Sequence, residues 1–397
     1  MKKRILLSSL ILVSGQTYAA SYYTDARNAA MGGTGVASST YHSAMLSNPA
    51  LMTKFADHDD FSFILPSVGA EVADPNKAIN RVDDIQDAFD SYESAIDNRQ
   101  GDPIAKASHL KSLLEKLDKN QITADAGAAF GFTIPTDVFT LGVFTKAYAD
   151  ISATAHVAQS DLDLLGDVSN GILPPPTQVT DLDSEAIVLG ALVSDIGISF
   201  AKPLQIKDFA FSVGITPKIQ RIETYNYDIS VNNYDVSEIG DERYRSNKSA
   251  FNMDIGFSTD LSENITLGLV AKNLFSQSVE TAVVNNRSYV YKITPAVTTA
   301  IAYRGELLTV AADLDLTANK GFTHHKKHQF AGVGAEFNAL GWMQVRAGYR
   351  SDMTGDKPNM ITAGLGFSPF NIVKLDLTGM AGTNKAYGAA MQLSLTF

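Results

Sequence analysis

The C-terminal segment 386–397 alternates between two kinds of position. One parity carries apolar side chains and the other carries small or polar ones; the apolar set is Tyr387, Ala389, Met391, Leu393, Leu395 and Phe397. A period of two predicts a β-strand with one apolar face. The same alternation recurs upstream, at 209–218, 251–258, 265–272, 308–316, 343–350 and 373–377, and charged residues fall on the non-apolar face each time.

Two all-β classes produce such alternation, a large soluble β-sandwich and a transmembrane barrel. The segments run about 9 to 14 residues, whereas strands of soluble proteins average about 5 to 6. Their connections alternate between long (72–122, 150–185, 229–247, 276–293, 317–327, 351–357) and short (135–137, near 203, 261–263, 304–306, 338–341, 368–370). Short turns on one rim and long loops on the other are typical of outer-membrane barrels. We therefore expect a transmembrane antiparallel β-barrel of about 14 strands over residues 61–397.

The N-terminus reads as a signal peptide over residues 1–19. Lys2, Lys3 and Arg4 precede an apolar run, and Thr17-Tyr18-Ala19 provides small residues at the cleavage positions. The longest later apolar run, 187–193, is far shorter than the ~20 residues of a membrane helix. These features predict a Gram-negative outer-membrane protein, with outer-membrane lipid and lipopolysaccharide around it and the barrel assembly machinery as a partner.

The composition and the spacing of residues argue against two classes of function, nucleic-acid binding and catalysis. The chain has 397 residues, no cysteine and a net charge of −11, which argues against nucleic acid as a partner of the folded domain. A Ser–His pair on one strand face would need a spacing of two, and no histidine has a serine at that distance. We expect no catalytic residues, no cofactor and no enzymatic activity.

Three histidines lie close together in a predicted long loop. His324, His325 and His328 could hold a transition metal, but Lys326 and Lys327 between them oppose a cation. We therefore predict no metal site and favour a solvated basic loop that could meet anionic lipopolysaccharide.

Residues 20–60 precede the first predicted strand and carry a glycine-rich motif. Arg27 is followed by Met31-Gly32-Gly33-Thr34-Gly35 and, further on, by Asn48-Pro49-Ala50. The glycines permit tight turns and close backbone approach. A nucleotide-binding loop is disfavoured, because no buried strand precedes the motif and no amphipathic helix follows it. Arg27 either pairs inside the barrel with Asp313 or Asp315, or faces periplasmic water.

These residues, together with the terminal Phe397, resemble the FadL-like outer-membrane transport proteins, whose N-terminal segment forms a plug inside a fourteen-stranded barrel. Within that superfamily the layout is most similar to the cysteine-free conjugal transfer TraF-like family. The resemblance implies a plug at 20–60 whose motif is Arg27, Gly32, Gly33, Gly35, Asn48, Pro49 and Ala50. It also implies that Phe397 is an assembly signal.

Two functions follow from the resemblance. The first is a porin-like channel for small hydrophobic molecules, gated by the plug. The second, implied by the TraF-like layout, is an envelope protein that interacts with a conjugation apparatus and transports nothing.

The first long insert, 72–122, departs from the strand pattern. Apolar residues recur every three or four positions and predict two amphipathic helices, at Ile79, Val82, Ile85, Phe89, Tyr92 and Ile96 and then at Ile104, Ala107, Leu110, Leu113, Leu114 and Leu117. This extracellular helical insert would cap the pore. Its apolar stripe either lines a ligand entrance or buries the helices against each other, and we favour the second interpretation.

Charged residues on the polar faces of the strands would point into the lumen. We expect them to form charge ladders that brace the wall, because a buried charge needs a partner. The predicted lumen charges are Asp254, Lys272, Asp313, Asp315, Arg346, Arg350 and Asp376.

Overall fold

The computed structural model describes residues 24–56, 59–97, 101–136, 138–172, 182–230 and 240–397. The predicted signal peptide lies outside the described residues. Fourteen strands close into a single antiparallel barrel, in which each strand pairs with its neighbours in chain order and the first pairs with the last. The predicted fold class and strand number are confirmed. The barrel strands are β1 Ser62–Ala73, β2 Gln121–Ile134, β3 Thr140–His156, β4 Glu185–Ile206, β5 Phe209–Ser230, β6 Arg245–Ser262, β7 Ile265–Lys272, β10 Ala296–Arg304, β11 Leu308–Asp315, β12 Phe330–Leu340, β13 Met343–Asp352, β14 Met360–Phe367, β15 Val373–Gly382 and β16 Ala386–Thr396.

The two faces of the barrel strands are inverted relative to a soluble sheet. On β16 the apolar parity faces outward, with Tyr387 and Met391 exposed, while Gln392 and Ser394 on the other parity are buried. A sandwich would bury its apolar parity. The exposed apolar face therefore rules out the sandwich and fits a wall surrounded by lipid.

The turn predicted near Pro203 is wrong. β4 and β5 each run for 22 residues, and Pro203 pairs with Ser212 inside the hairpin. The turn lies at 207–208, where Lys207 has a positive φ of 55°. Pairing of β4 with β3 ends at Ala201, so Pro203 lies where only one neighbouring strand is hydrogen-bonded. An edge-like position of this kind tolerates proline, which has no N–H to donate.

The N-terminal segment folds into three short helices inside the barrel. They are α1 Ala26–Ala30, α2 Ala44–Ser47 and a 3₁₀ helix at Pro49–Thr53. The Asp25 side chain accepts the Asn28 N–H and caps α1. α1 contacts β13 to β16, whereas the 3₁₀ helix contacts β3 to β6 on the opposite side of the closed sheet. We call Thr24–Lys54 the lumen segment, because it lies across the interior.

Three longer helices lie at the rim that carries the long connections, which we call the outer rim. They are α3 Ala78–Asp97, α4 Pro103–Leu117 and α5 Gln159–Ser169. Phe89, Tyr92, Leu110 and Leu114 form one buried cluster with Leu165 of α5. The apolar stripes therefore pack the helices against each other, and they also bury α5, which the sequence did not predict. No helix among the described residues has both the length and the apolarity needed to cross a membrane.

A small hairpin folds inward from the connection between β7 and β10. It comprises β8 Gln277–Glu280 and β9 Val290–Ile293. Its apolar residues Val279, Tyr291 and Ile293 pack with Tyr148 of the wall and with Phe322 of the next long loop. Short 3₁₀ helices complete the fold at Glu242–Tyr244, Pro369–Asn371 and Thr383–Lys385.

Candidate functional site

Gly32 brings the lumen segment into direct backbone contact with the wall. Its φ is +69°, and a Cβ at this position would lie 2.6 Å from the carbonyl oxygens of Tyr349 and Val333. Its N–H donates to Thr362 Oγ1 at 3.0 Å. The opposing wall positions are also glycines, at Gly332, Gly334 and Gly348. Neither surface has room for a side chain here, so this contact depends on glycine in both.

Asp313 of β11 holds the next turn of the lumen segment. Its Oδ2 accepts the N–H groups of Gly35 and Val36, both at 2.9 Å. Two backbone donors on one carboxylate oxygen are strong, charge-assisted hydrogen bonds. Asp313 therefore acts as an anchor for the segment.

The partner predicted for Arg27 is wrong. The Arg27 guanidinium pairs with Glu336 of β12 and also donates to the Ser38 carbonyl at 2.8 Å. Asp313 contacts the segment eight residues later, after the chain has turned at the glycines. Arg27 is 7% exposed, so the alternative of periplasmic water is also wrong. Which wall strand faces Arg27 depends on how the segment threads the lumen, and local sequence carries no signal for that.

The Asn48-Pro49-Ala50 motif contacts the opposite wall. Asn48 Nδ2 donates to the carbonyls of Val36 at 2.8 Å and Phe257 at 3.1 Å, and Asn48 Oδ1 accepts the Ala50 N–H. A Cβ at Gly214 or Gly256 of the wall would collide with this turn. The motif therefore fixes the segment to β5 and β6.

The other predicted lumen charges apart from Asp254 all face the interior. Arg346 pairs with Glu336 and Asp376, each at 2.6 Å. Arg350 pairs with Glu71 at 2.7 Å. Lys272 Nζ donates to the Leu46 carbonyl of the lumen segment at 2.9 Å, and Asp315 accepts from Thr298 and from the Phe330 N–H.

Asp254 belongs to a buried ion chain that the sequence analysis found only in part. Lys218 lies 2.9 Å from Asp254 and 3.3 Å from Asp195, and Lys146 lies 3.6 Å from Asp195. Lys146, Asp195, Lys218, Glu71 and Glu336 were missed. A signal for Glu336 was available, because Glu336 is the cross-strand neighbour of Arg346 in the hairpin between β12 and β13.

The structure contains two cavities of about 80 Å³ each. The first, beside the lumen segment, is polar and is lined by Lys146, Lys218, Lys272, Asp313 and Asp315 among others. It has room for several water molecules. The second lies beneath the helices of the outer rim and is mainly apolar, with Ile85, Leu114, Leu117, Ala186 and Ile229 in its lining.

The predicted solvated basic loop is wrong for two of the three loop histidines, His325 and His328, which are partly or fully buried. His328 is 8% exposed, and its backbone pairs with Asn319. His325 Nε2 lies 3.4 Å from Ser152 Oγ of the wall. Burial lowers the pKa of His324 and of His328 to about 4. His324, Lys326 and Lys327 are exposed as predicted, and the described residues contain no cluster of His, Asp or Glu arranged to hold a metal ion.

Phe397 lies where the barrel closes. Its N–H donates to the Phe61 carbonyl at 2.9 Å, its own carbonyl accepts the Phe61 N–H at 3.2 Å, and the two rings stack with centroids 4.8 Å apart. The terminal residue thus extends the pairing of β16 with β1.

A closed barrel of 14 strands with a buried N-terminal segment has the fold of FadL-type outer-membrane proteins. The structure is similar to that of the Ralstonia pickettii toluene transporter TbuX, with a TM-score of 0.56 and 13% identity over 93% of this chain and 97% of that chain. The Pseudomonas putida toluene transporter TodX matches with a TM-score of 0.51 and 14% identity over 97% and 99%. A Pseudomonas aeruginosa FadL homologue matches with 0.53 and 10% over 97% and 99%.

The sequence identifies a family within this fold. The family described as "F plasmid transfer operon, TraF, protein" matches residues 45–315, which is more than half of the chain. The chain belongs to this family. No curated protein sequence matches it.

Proposed function

We propose that the protein is a channel of the outer membrane and that the lumen segment is its gate. The observation that carries the proposal is the position of Thr24–Lys54, which crosses the interior and contacts both sides of the wall. The barrel closes through its own strand pairing. Release of the segment would therefore leave the wall intact while opening a path.

Directional polar contacts hold the gate on both sides of the lumen. Arg27, Gly32 and Gly35 attach one side, whereas Asn48 attaches the other. Those of Gly32 and Gly35 are hydrogen bonds between the segment backbone and single wall side chains. Such bonds contribute about 0.5–1.5 kcal/mol each, or about 1.5–3 when a charge is involved, so a ligand or a partner could displace them one at a time.

We further propose that the cargo is a small hydrophobic molecule. The apolar cavity beneath the helices of the outer rim supports this cargo, as does the fold shared with proteins described as toluene transporters. Its volume of about 80 Å³ is below the ~150 Å³ of an engineered cavity that binds benzene. The helices would therefore have to part for an aromatic ring to enter.

Reconstitution tests the channel. The purified full-length protein is inserted in liposomes, and toluene entry and ion conductance are measured for the parent and for Asn48→Ala, which removes the hydrogen bond from the segment to Phe257 of β6. We expect both signals to rise in the variant, with Asn285→Ala at an outer-loop position as the matched control. Absence of conductance and of toluene entry in every folded variant would reject the channel.

The family match supports a second candidate, a role in the envelope part of a conjugation apparatus. Mating frequency in a strain that lacks the gene tests it. The strain is complemented with a variant that conducts no solute and with a variant that has altered outer loops. Restored mating with the first variant but not with the second would favour interaction over transport.

A further inference from the structure

The loop between β13 and β14, residues 353–359, folds inward at the outer rim. The Asp352 carboxylate accepts the N–H groups of Thr354 at 3.1 Å and of Asp356 and Lys357 at 2.8 Å each. Gly355 provides the positive φ of 75° that this turn requires. The turn directs the Lys357 side chain away from solvent, and its charged end becomes mostly buried.

Lys357 reaches across the mouth of the barrel. Its Nζ lies 2.9 Å from Asp125 Oδ2 on β2 and 3.7 Å from Asp150 Oδ1 on β3. In the barrel, β15, β16 and β1 separate β14 from β2. The ion pair therefore spans the opening instead of joining adjacent strands.

The wall site that receives Lys357 is strained without a cation. Asp125 and Asp150 are direct cross-strand partners in the hairpin between β2 and β3. Like charges directly opposite each other destabilise a sheet. Burial by itself would lower the pKa of Lys357, but the carboxylates outweigh burial and raise it. The lysine is thus held charged between the two carboxylates.

A second loop is attached to the first. Thr354 Oγ1 donates to the Lys327 carbonyl at 2.5 Å, and the Gln329 N–H donates to Asp352. The loop 316–329 also packs against the inward hairpin through Phe322. Movement of 353–359 would therefore also move the loop 316–329 and the inward hairpin of β8 and β9.

We propose that Lys357 is the releasable element of an outer latch. The mouth is closed while its ammonium lies between Asp125 and Asp150, and it opens when that ion pair breaks. The latch is a second gate in series with the lumen segment. Its effect on transport rests on the proposed channel function, whereas its effect on access to the lumen does not.

A single cysteine reports access directly, because the chain contains none. Tyr148 lies two residues deeper than Asp150 on the same face of β3 and lines the polar cavity. In a Tyr148→Cys background, the rate of modification by a membrane-impermeant thiol reagent is measured from the outer side. Lys357→Ala should raise the rate by about tenfold or more, which corresponds to about 1.4 kcal/mol of latch stability.

Lys327→Ala is the matched control, since Lys327 lies at the same mouth with an exposed side chain. It should leave the rate unchanged. Asp125→Asn combined with Asp150→Asn should act as Lys357→Ala does. Equal rates in the parent and in folded Lys357→Ala protein would overturn the latch.

Restoring a positive charge at position 357 distinguishes a latch that depends on this charge from a merely structural role of Lys357. Lys357→Cys protein, with Tyr148 intact, is modified with an aminoethyl or a sulfonatoethyl methanethiosulfonate. In Asn48→Ala channels the aminoethyl group should lower conductance and the sulfonate should raise it, and a reductant should reverse both effects. Conductance that does not depend on the charge at residue 357 would refute the latch. Absence of conductance in every form would reject the channel and leave the accessibility assay to decide on the latch.

Discussion

Arg27 of the lumen segment and Glu336 of the wall form a two-bond ion pair, with Arg27 Nε 2.8 Å from Oε2 and Nη2 2.9 Å from Oε1. Paired parallel bonds of this kind fix orientation as well as charge. Arg346 donates to the same carboxylate from the adjacent strand at 2.6 Å. Glu336 thus bridges one guanidinium that belongs to the lumen segment and one that belongs to the wall.

Removal of the Arg27 side chain should loosen the lumen segment without opening the sheet. Arg27→Ala leaves Glu336 paired with Arg346, so we expect a modest loss of about 1–3 kcal/mol in the free energy of unfolding together with increased conductance. Arg27→Lys keeps the charge but cannot make two parallel bonds, and it should fall between the parent and alanine. Unchanged conductance in folded Arg27→Ala protein would contradict the assigned role of this pair.

Gly32→Ala should displace the lumen segment more strongly than a glycine replacement elsewhere. The new Cβ would meet two wall carbonyl oxygens at 2.6 Å, in addition to the strain of a positive φ. Gly171→Ala is the control, because Gly171 also has a positive φ, of 86°, but has open space around it. We expect a steep rise in protease cleavage of the N-terminal segment for Gly32→Ala only. Equal cleavage of the two variants would show that the close approach is unimportant.

The barrel could be predicted from the sequence because its signal is local. Alternation on β16 and the charges on the opposite parity depend only on neighbouring residues and on which face meets lipid. The Arg27 partner, the inward fold of β8 and β9 and the Lys357 contact could not be predicted. Each joins residues far apart in the chain. The alternation along the strands shows which charged residues face the lumen, but they are too many for it to show which of them pair. The turn at 207–208 could not be placed correctly either, because Pro203 predicts a turn at a position where the sheet tolerates proline.

Acidification should loosen the loop 316–329. Burial lowers the pKa of His328 to about 4, whereas an unfolded histidine titrates near 6.5. Below about pH 6.5 the unfolded loop therefore binds a proton that the folded loop does not, and stability falls as the pH drops toward 4. The charged groups that face His328 are Lys357, Asp150, Asp352 and Arg350.

The loss of loop stability between neutral pH and pH 5 from this protonation amounts to about 2 kcal/mol. Hydrogen exchange of residues 316–329, measured at pH 7 and pH 5, tests the effect. Protection should fall in the parent, and its pH dependence should be smaller in His328→Gln. A parent loop equally protected at both pH values would argue against buried, neutral histidine.

Phe397 offers a way to separate assembly from stability. Its ring stacks on Phe61, while its backbone pairs with that same residue across the seam where β16 meets β1 and closes the barrel. Phe397→Ala keeps the backbone pair and removes the ring. If the ring is an assembly signal, as the resemblance to outer-membrane barrels implies, the folded fraction in cells should fall severalfold while refolding of the purified chain in detergent stays near the parent level.

If the ring only stabilises the seam, both yields should fall together, and Phe61→Ala should reproduce the defect. Phe370→Ala is the matched control, because Phe370 is 92% exposed in a turn outside the seam. The folded fraction is measured by the heat-dependent shift in gel mobility that intact barrels show. Parent-like yields for Phe397→Ala in both settings would remove Phe397 from the assembly signal and leave closure of the barrel to the backbone pairing of β1 with β16.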